Sequence, residues 1–343
     1  MGQIPRWQDR SLIRLSWETM NPLQSLGLPS VEADMALFEP LLAESVVIGD
    51  TFLDGITTHL IAAGGKRLRP LLSVASATMG AHAATRNDLL GGVAVELMHL
   101  ASLYHDDVMD EATMRRTVES VNARYGNIVA IVAGDFLMAR SAAIAADLGT
   151  PVSSLLAHTL ARLTQGQVSE VRTSFDANRT VEDYYEAISG KTAALMAAAC
   201  RVGGLTSGQS GQDLEALTEY GMSLGLIFQL RDDILDITAV NGELGKPVGQ
   251  DLAEGIYTLP VIIALNDKEV GDELRRLLGH ELDDAEREEA RILVTRTSGI
   301  KESLAEAQRH VVRAGEIASS LNNDDLSRGF ENLASSLLED LPL

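Results

Sequence analysis

Two clusters of aspartates in this sequence have the composition and spacing of a metal site. The first reads DDVMD and the second DDILD, and together they supply Asp106, Asp107, Asp110, Asp232, Asp233 and Asp236. If each cluster lies on a helix, its first and last aspartates are at i and i+4, where like charges repel each other about 6 Å apart. Mg²⁺ is usually held by one or two carboxylates and completes its shell with water and phosphate oxygens, so the clusters predict a site for Mg²⁺ and a diphosphate. A solvated acidic helix end is the alternative for one cluster, and the repetition argues against it.

A turn rich in glycine and cations precedes the first cluster. Gly64 and Gly65 interrupt a helical pattern, and Lys66, Arg67 and Arg69 follow at once. Because glycine lets the backbone turn tightly while the cations supply positive charge, this turn predicts an anion site. The alternative is a helix C-cap with basic residues near the negative end of the helix dipole.

Helices are predicted to position both aspartate clusters. Before the first cluster, Val93, Leu97 and Leu100 recur at steps of three and four residues, which is typical of a helix with one apolar face. No Gly or Pro interrupts the chain up to Arg116, so Asp106, Asp107 and Asp110 are predicted to lie on this helix. The second cluster ends a similar apolar run, residues 228–237.

Further helical segments are expected around this pair. Residues 126–146 are predicted to form an interior helix in which Asp135 would be buried and paired. Residues 165–173 predict another helix, where Gln167 and Glu170 are interpreted as a polar pair in helix packing.

Two runs of small and apolar residues, 192–199 and 221–227, predict helices packed closely around a dry cavity. His99 lies seven residues before Asp106 and therefore faces the same way, two turns away. His105 is interpreted as an ordinary interior residue.

The composition excludes several classes of function. Forty-nine acidic residues against twenty-eight basic ones give a net charge of −21, which argues against a nucleic-acid partner. Cys200 is the only cysteine, so an intrachain disulfide is impossible and a reducing, cytoplasmic setting is expected, with Cys200 in the core. No uninterrupted apolar run approaches the ~20 residues that span a bilayer, so a soluble or peripheral protein is expected.

The domain organisation is predicted to be simple. Residues 1–30 are expected to form an N-terminal arm, and residues 31–343 a single all-α domain. The arm carries Trp7 and Trp17, and no apolar segment of the kind found in a signal peptide follows its charges. Two interpretations of the arm stay open: packing against helices of this chain or of a second subunit, and contact with a membrane surface.

Several further motifs accompany the aspartate clusters: GGKRLRP at 64–70, the pair Arg115-Arg116, GDFL at 134–137, the pair Lys191-Thr192, and GKPVGQDL at 245–252. With these motifs the chain resembles the trans-isoprenyl diphosphate synthases from about Leu41 to Leu265, and is most like the long-chain polyprenyl diphosphate synthases. The resemblance implies an all-α isoprenoid-synthase bundle around a central active-site cavity that takes Mg²⁺, three ions per site. It also implies a cytoplasmic homodimer that condenses isopentenyl diphosphate head-to-tail (1'-4) with an allylic diphosphate, with at most peripheral membrane contact for product release.

The same resemblance implies roles for individual residues. The catalytic residues would be Asp106, Asp110, Lys191, Thr192, Gln229 and Asp232, and all six clustered aspartates would be metal ligands. The substrate-binding residues would be Lys66, Arg67, Arg69, His99, Arg115, Arg116, Lys191, Thr192, Gln229 and Lys246. Within this set, Lys66 and Arg69 would hold isopentenyl diphosphate, and His99 and Arg116 would close its site. Arg115 and Lys191 would contact the allylic diphosphate.

Product length is predicted from the helix before the first cluster, because in the family the growing chain runs beside that helix. Ala101 is five residues before Asp106, about 7 Å below the metals at 1.5 Å per residue. Ala101 and Ser102 are small, and Met98 is flexible, so a long-chain product in the heptaprenyl to decaprenyl range is predicted. The alternative is a short-chain farnesyl or geranylgeranyl diphosphate synthase, if Phe136 or another bulky residue of a facing helix closes the tunnel.

The chain departs from the family pattern at Thr117, Glu119 and Ile256, where many members have Gly, Pro and Lys, respectively. The first two departures affect the loop that carries the arginine pair. Two other functions stay open. A terpene cyclase of the same fold would lack the isopentenyl diphosphate site, and a subunit of a two-chain synthase would be expected to have lost aspartates.

Overall fold

The computed structural model describes residues 21–80, 83–116, 118–239, 248–339 and 341, and almost all regular structure in them is helical. The predicted all-α fold is confirmed. The α-helices are α1 (Pro22–Leu26), α2 (Pro29–Glu44), α3 (Thr51–Thr57), α4 (His59–Ala62), α5 (Leu68–Ala77), α6 (Arg86–Met109), α7 (Val121–Tyr125), α8 (Asn127–Asp147), α9 (Thr150–Arg172), α10 (Val181–Ile188), α11 (Ala194–Thr206), α12 (Gln212–Thr238), α13 (Gln250–Ala253), α14 (Leu259–Leu265), α15 (Gly271–Leu277), α16 (Asp284–Thr295), α17 (Gly299–Ala318) and α18 (Asp324–Ser336). A 3₁₀ turn (Thr78–Gly80), a π-helical turn (Ser189–Ala193) and the short strands β1 (Met114–Arg115) and β2 (Val118–Glu119) complete the described elements.

The helices that carry the aspartate clusters, α6 and α12, belong to two adjoining cores. Helix α6 packs along α5 and α8, and α12 packs between α11 and α17. One buried apolar cluster joins α2, α5, α6, α8 and α11. A second joins the C-terminal half of α12 to α14, α15 and α16. Each aspartate cluster therefore stands at the end of a helix that is anchored in packed apolar side chains.

Small residues bring α11 and α12 into close contact, as their sequence predicts. A Cβ atom added at Gly221 would lie 2.7 Å from Cα of Ala197, and one at Gly225 would lie 2.5 Å from Cα of Ala193. Real Cβ atoms do not approach backbone so closely, so only glycine allows this helix spacing.

Helix α6 ends within the first aspartate cluster. It ends at Met109, and Asp110 caps it with its N–H donating to the Asp106 carbonyl at 2.8 Å. Glu111 then adopts a left-handed backbone conformation (φ 49°) and directs the chain into the hairpin formed by β1 and β2. Asp106 and Asp107 therefore lie on the predicted helix, Asp110 is its C-cap, and the arginine pair lies in the hairpin that follows.

Helix α8 is not the interior helix that its apolar sequence predicts. It packs along α6 and α9, but Ile128 and Val132 are 80% and 57% exposed. Asp135, predicted to be buried, is 69% exposed and lies 3.5 Å from His105. Of the described helices, this one alone has the length and apolar composition to cross a bilayer. A helix that packs within a bundle passes the same test, so the finding is weak evidence for a membrane span.

The predicted N-terminal arm lies mostly outside the described residues, and this includes Trp7 and Trp17. Helix α1, which falls within residues 1–30, packs against α18, and its Leu26 is 1% exposed. This part of the arm therefore packs against helices of this chain, one of the interpretations left open, and the boundary at residue 30 stays a prediction. Cys200 is completely buried, as predicted.

Candidate active site

A cavity of about 710 Å³ opens between the two aspartate clusters and is lined mainly by charged and polar side chains. The first cluster contributes Asp110 and the second contributes Asp233. Cations face them from the hairpin and from the π-helical turn, and they include Arg115, Arg116 and Lys191. Such a cavity, which gathers carboxylates and cations around one space, suits a ligand that combines metal ions with phosphate groups.

Asp106 and Asp110 form the i and i+4 pair at the C-terminal end of α6. Burial raises the pKa of Asp106 to about 6; the charge of Lys191 opposes this shift, and that of Asp110 adds to it. Burial likewise raises the pKa of Asp110. The pair is therefore an incompletely neutralised anionic site, and a bound cation would stabilise its ionised form.

Asp107 points to the other side of α6 and has a different role from the one predicted. Its side chain is 1% exposed, and its Oδ1 lies 2.6 Å from Nε and 2.5 Å from Nη2 of Arg115. The Asp107 carbonyl also accepts a hydrogen bond from the Asn122 amide at 2.9 Å. The structure thus assigns Asp107 to holding Arg115 and the hairpin, and not to a metal ion.

The second cluster divides in a similar way. Asp233, at 1% exposure, accepts hydrogen bonds from the Tyr184 hydroxyl at 2.5 Å and the Gln229 amide at 2.9 Å, and burial raises its pKa well above the usual value. Asp236, at 2% exposure, accepts the Asp251 N–H at 3.2 Å. Asp233 does not fit its predicted role as a metal ligand, because both of its oxygens accept bonds from neighbouring side chains. The role of Asp236 as a metal ligand stays a prediction.

Asp232 is the member of the second cluster that is best placed to act as a metal ligand. It is partly exposed, and its charge reaches Arg69 on the opposite side of the site. Lys246, predicted at the second metal site, lies outside the described residues.

The number and type of oxygen ligands in the site fit Mg²⁺. Within the described ranges, no three His, Cys, Asp or Glu side chains converge as a protein-only metal site. Mg²⁺ is rarely held in such a cage, since it takes one or two carboxylates and fills its shell with water and substrate phosphates. Asp106, Asp110 and Asp232 fit this pattern, and none of the described residues that line the cavity offers a thiolate or imidazole that would favour a softer metal.

A second, cationic corner forms between α5, α6 and the hairpin. Arg69 Nη1 lies 3.2 Å from His99 Nε2. Burial lowers the pKa of His99 well below the usual value, and the charge of Arg69 lowers it further. His99 is therefore neutral and accepts the hydrogen bond. Burial also lowers the pKa of Arg69, to about 10, which leaves it charged at neutral pH.

The hairpin reaches this corner through Arg116, whose Nη1 donates to the Gly64 carbonyl. A Cβ atom at Gly65 would lie 2.7 Å from Nη1 of Arg116, so the second glycine of the turn makes room for the guanidinium. The structure brings the predicted residues Arg69, His99 and Arg116 together. Lys66 lies two residues after Gly64 in the same turn.

Arg67 does not join this corner, contrary to the prediction. It is 6% exposed, with Nε donating to Glu39 at 2.6 Å, Nη1 to Glu96 at 2.9 Å and Nη2 to the Ile61 carbonyl at 3.1 Å. Its donors are used within the protein, so it stabilises the turn and does not bind substrate.

Lys191 owes its position to close helix packing. It lies in the π-helical turn, where a Cβ atom at Gly190 would be 2.7 Å from the Arg162 carbonyl oxygen and 2.9 Å from Cα of Gly166. This contact with α9 brings Lys191 Nζ to 2.5 Å from Oε1 of Glu170. Turns of the π type are frequent at functional sites.

Thr192 and Gln229 form a hydrogen-bonded chain across the cavity. The Thr192 hydroxyl donates to Gln229 Oε1 at 2.8 Å, and Gln229 Nε2 donates to Asp233. Asp233 therefore fixes the orientation of the Gln229 amide, which in turn orients the Thr192 hydroxyl.

Several residues that line the cavity were not predicted to belong to the site, among them Glu170, Arg179 and Tyr184. The signal for Glu170 was present, since it shares a helix face with Gln167, but it was interpreted as helix packing. Arg179 precedes α10 as an isolated cation, and no local pattern identifies it.

The predicted chain-length residues lie deeper in α6. Ala101 is completely buried, Met98 is 4% exposed, and the Ser102 hydroxyl donates to the His99 carbonyl at 2.8 Å. None of the three lines the 710 Å³ cavity. Their influence on product length therefore stays a prediction.

Comparison with known proteins identifies the family. The sequence model of the polyprenyl synthetase family matches residues 50–294. The chain belongs to this family. It is therefore a prenyltransferase of the polyprenyl synthetase type, as predicted, and the substrates of the family are isoprenoid diphosphates.

Individual members of the polyprenyl synthetase family are similar over most of the chain. Nonaprenyl diphosphate synthase of Mycobacterium tuberculosis is 40% identical over 275 residues, 79% of this chain and 82% of that protein. Heptaprenyl diphosphate synthase component 2 of Geobacillus stearothermophilus is 35% identical over 311 residues, 90% of this chain and 94% of that protein. A crystal structure of polyprenyl synthase from Caulobacter crescentus CB15, complexed with calcium and isoprenyl diphosphate, has a TM-score of 0.87 and 32% identity, covering 93% of this chain and 98% of that one.

Proposed function

We propose that this chain condenses isopentenyl diphosphate head-to-tail (1'-4) with an allylic diphosphate and repeats the step to make a long-chain all-trans polyprenyl diphosphate, in the heptaprenyl to decaprenyl range. The observation that carries the proposal is the presence of two separate cationic groups. Arg69, His99 and Arg116 gather at the Gly64-Gly65 turn, whereas Lys191 faces the first aspartate cluster. Two diphosphates can thus bind at once, which a terpene cyclase does not require.

The residues of the chain divide the work of the reaction. Asp106, Asp110 and Asp232 would hold Mg²⁺, which when bound supplies positive charge that neutralises the leaving diphosphate. Lys191 would bind the same diphosphate, and Glu170 holds its ammonium in place.

Isopentenyl diphosphate would bind at the second cationic group. The guanidinium groups of Arg69 and Arg116 match its phosphate oxygens, while neutral His99 accepts a hydrogen bond from Arg69 and holds it in place. With its diphosphate held there, the double bond is directed towards the allylic carbon.

Thr192 and Gln229 would face the developing carbocation. Because the Thr192 hydrogen is donated to Gln229, the lone pairs of the Thr192 oxygen remain available to stabilise positive charge. A proton then leaves the new unit, and the departing diphosphate is the nearest base that the reaction supplies.

Turnover by the purified chain tests this proposal. We expect polyprenyl diphosphate to form from isopentenyl diphosphate and farnesyl diphosphate when Mg²⁺ is present. Asp106→Asn and Asp232→Asn should each lower kcat roughly a thousandfold, since an ion is misplaced in the transition state. Near-normal turnover of either variant would refute the metal assignment. Activity only after addition of a second polypeptide would instead favour the two-chain alternative, for which similarity to a protein named component 2 gives a specific reason.

The long-chain product is supported by the small side chains that precede the first cluster. Ala101→Phe should place a ring beside the growing chain and shorten the product while leaving the first condensation intact. Ala334→Phe is the matched control, because Ala334 is also completely buried but lies in α18. Both substitutions are expected to overpack the core and to lower the free energy of unfolding by about 1–3 kcal/mol. The tunnel assignment fails if the native protein stops at geranylgeranyl diphosphate, or if both variants give products of unchanged length.

The homodimer, the cytoplasmic location and peripheral membrane contact are further parts of this proposal. The exposed apolar face of α8 supports a second copy as its partner, and the single buried cysteine suits a reducing compartment. The identity and number of the metal ions, Mg²⁺ and three, belong to the proposal as well.

A further inference from the structure

Arg179 is a buried cation in the active-site cavity that has no role in the scheme above. It is 4% exposed and lines the cavity. Its Nη1 donates to the Tyr257 carbonyl at 3.1 Å, and its Cζ lies 5.9 Å from the centre of the Tyr184 ring. Nε and Nη2 have no hydrogen-bond partner among the described residues. Buried donors without partners are costly, so an arginine in this state indicates that an acceptor arrives from outside the protein.

The neighbouring charges do not supply that acceptor. Glu170 and Asp233 are the carboxylates that act most strongly on Arg179. Both are already bonded, Glu170 to Lys191 and Asp233 to Tyr184 and Gln229. In the described part of the chain, neither forms an ion pair with Arg179. Its forked guanidinium is therefore held in the cavity by a backbone carbonyl and left open to a ligand anion.

The position of Arg179 coincides with a departure from the family pattern. Many members carry Lys where this chain has Ile256, and Ile256 lines the same cavity as Arg179. The carbonyl that accepts from Arg179 belongs to Tyr257, the next residue, whose Cα is about 3.8 Å from that of Ile256. Arg179, from the segment before α10, therefore places a cation beside position 256, where many family members have a lysine side chain.

We propose that Arg179 is a substrate-binding residue that replaces the missing cation at position 256 and binds the diphosphate of the allylic substrate and the pyrophosphate product. The proposal rests on the function proposed above. Two parallel N–H groups of a guanidinium match two oxygens of a diphosphate, which a single ammonium cannot do. The ligand class is a diphosphate because the free donors share the cavity with Lys191 and Asp110.

The experiment measures binding of inorganic pyrophosphate by calorimetry in MgCl2, together with KM for each substrate and the thermal midpoint. Arg179→Met should weaken pyrophosphate binding and raise KM for farnesyl diphosphate roughly 10- to 100-fold, with KM for isopentenyl diphosphate within twofold. Adding Ile256→Lys to this variant should recover most of the loss. Arg172→Met is the control, because Arg172 is an exposed arginine at the end of α9 and should change none of these values.

A purely structural role predicts a different outcome. If Arg179 only fastens the segment before α10 to the Tyr257 carbonyl, Arg179→Met lowers the thermal midpoint but leaves pyrophosphate binding within twofold. That result overturns the proposal, as does a loss that Ile256→Lys does not recover. If Arg179→Met does not fold, Arg179→Gln replaces it. This variant removes the positive charge but keeps a polar side chain, so pyrophosphate affinity within twofold of the native value overturns the proposal equally.

The outcomes also separate this inference from the proposed function. A native chain that binds pyrophosphate through Arg179 but forms no prenyl product retains the site and loses the proposed reaction. A native chain that turns over normally, with Arg179→Met unchanged in binding and KM, retains the reaction and loses the role of Arg179.

Discussion

At the scale of single residues, the contact between Glu170 and Lys191 determines the charge that faces the first aspartate cluster. Burial disfavours the charged form of Lys191, but Glu170, Asp106 and Asp110 outweigh burial and raise the pKa of the lysine. Lys191 is therefore fully protonated at neutral pH. Its position depends on Glu170, which lies 2.5 Å away on α9.

A double-mutant cycle tests this dependence. Glu170→Gln should lower kcat with the allylic substrate roughly tenfold, and Lys191→Ala roughly a hundredfold, because the first misplaces the ammonium and the second removes it. The double variant should resemble Lys191→Ala alone, since Glu170 acts through Lys191. Effects that multiply to about a thousandfold would show that Glu170 contacts substrate or metal by itself.

His99 provides a prediction on pH. Burial and the charge of Arg69 lower its pKa in the folded state below 6.5, so the unfolded chain takes up a proton at a higher pH than the folded one. The stabilising contribution is present above pH 6.5 and is lost as the pH falls from there towards the lower folded pKa. We expect the free energy of unfolding, measured with urea, to fall less steeply between pH 6.5 and 5 in His99→Gln than in the native protein. An unchanged slope would mean that the pKa of His99 is the same in the folded and the unfolded chain.

At the scale of elements, the Gly64-Gly65 turn and the hairpin depend on each other. Both glycines have positive φ, 80° and 147°, so alanine is strained at either position. A Cβ atom added at Gly65 would meet Arg116, whereas one added at Gly64 would have no neighbouring atom within 4 Å. The two positions therefore separate backbone strain from displacement of the arginine.

Gly65→Ala should raise KM for isopentenyl diphosphate about tenfold more than Gly64→Ala does, because the guanidinium of Arg116 must move. KM for the allylic substrate should change equally in both variants. Steady-state kinetics with each substrate varied in turn provides the measurement. If the two variants are indistinguishable, the packing of Arg116 on Gly65 has no part in substrate binding.

The sequence predicted the positions of the helices more completely than the directions in which their polar side chains point. Three- and four-residue spacing identified α6 and α12 and the position of both aspartate clusters. It could not show that Asp107 turns towards Arg115, because the hairpin brings that arginine back to the helix, or that Asp233 accepts from Tyr184, which comes from a distant part of the chain. The missed role of Glu170 has the same cause: its partner is fixed by the contact of Gly166 with Gly190, two residues on different elements.

The exact end of α6 is a second feature that local sequence does not predict. No helix-breaking residue precedes Arg116, yet Glu111 adopts a left-handed conformation and ends the helical run. Local propensity is a weak signal, and here the bonds of the Asp107 carbonyl to Ala112 and Asn122 outweigh it.

At the scale of the whole molecule, the apolar face of α8 is the surface most suited to a second copy of the chain. If the chain forms the proposed homodimer through this face, Ile128→Lys should convert it to a monomer in light scattering, since a lysine buried at the interface would be unpaired. Val312→Lys is the control, because Val312 is 62% exposed on α17, a different helix. A dimer that persists in Ile128→Lys, or a native chain that is already monomeric, would show that this face does not mediate association.

The π-helical turn at Ser189–Ala193 makes the spacing of this segment unusually sensitive to the loss of one residue. The Ala194 N–H bonds to the Ser189 carbonyl, five residues back, so the turn holds one residue more than an α-helical turn. Deleting that residue would let the helix close normally and would rotate all of α11 by about 100° against α10. The alanines that pack against the glycines of α12 would then face away from that helix. Lys191 and Thr192 could not both still face the cavity. Relatives of this chain should therefore place insertions and deletions in the loops on either side of this segment and keep its residue count fixed.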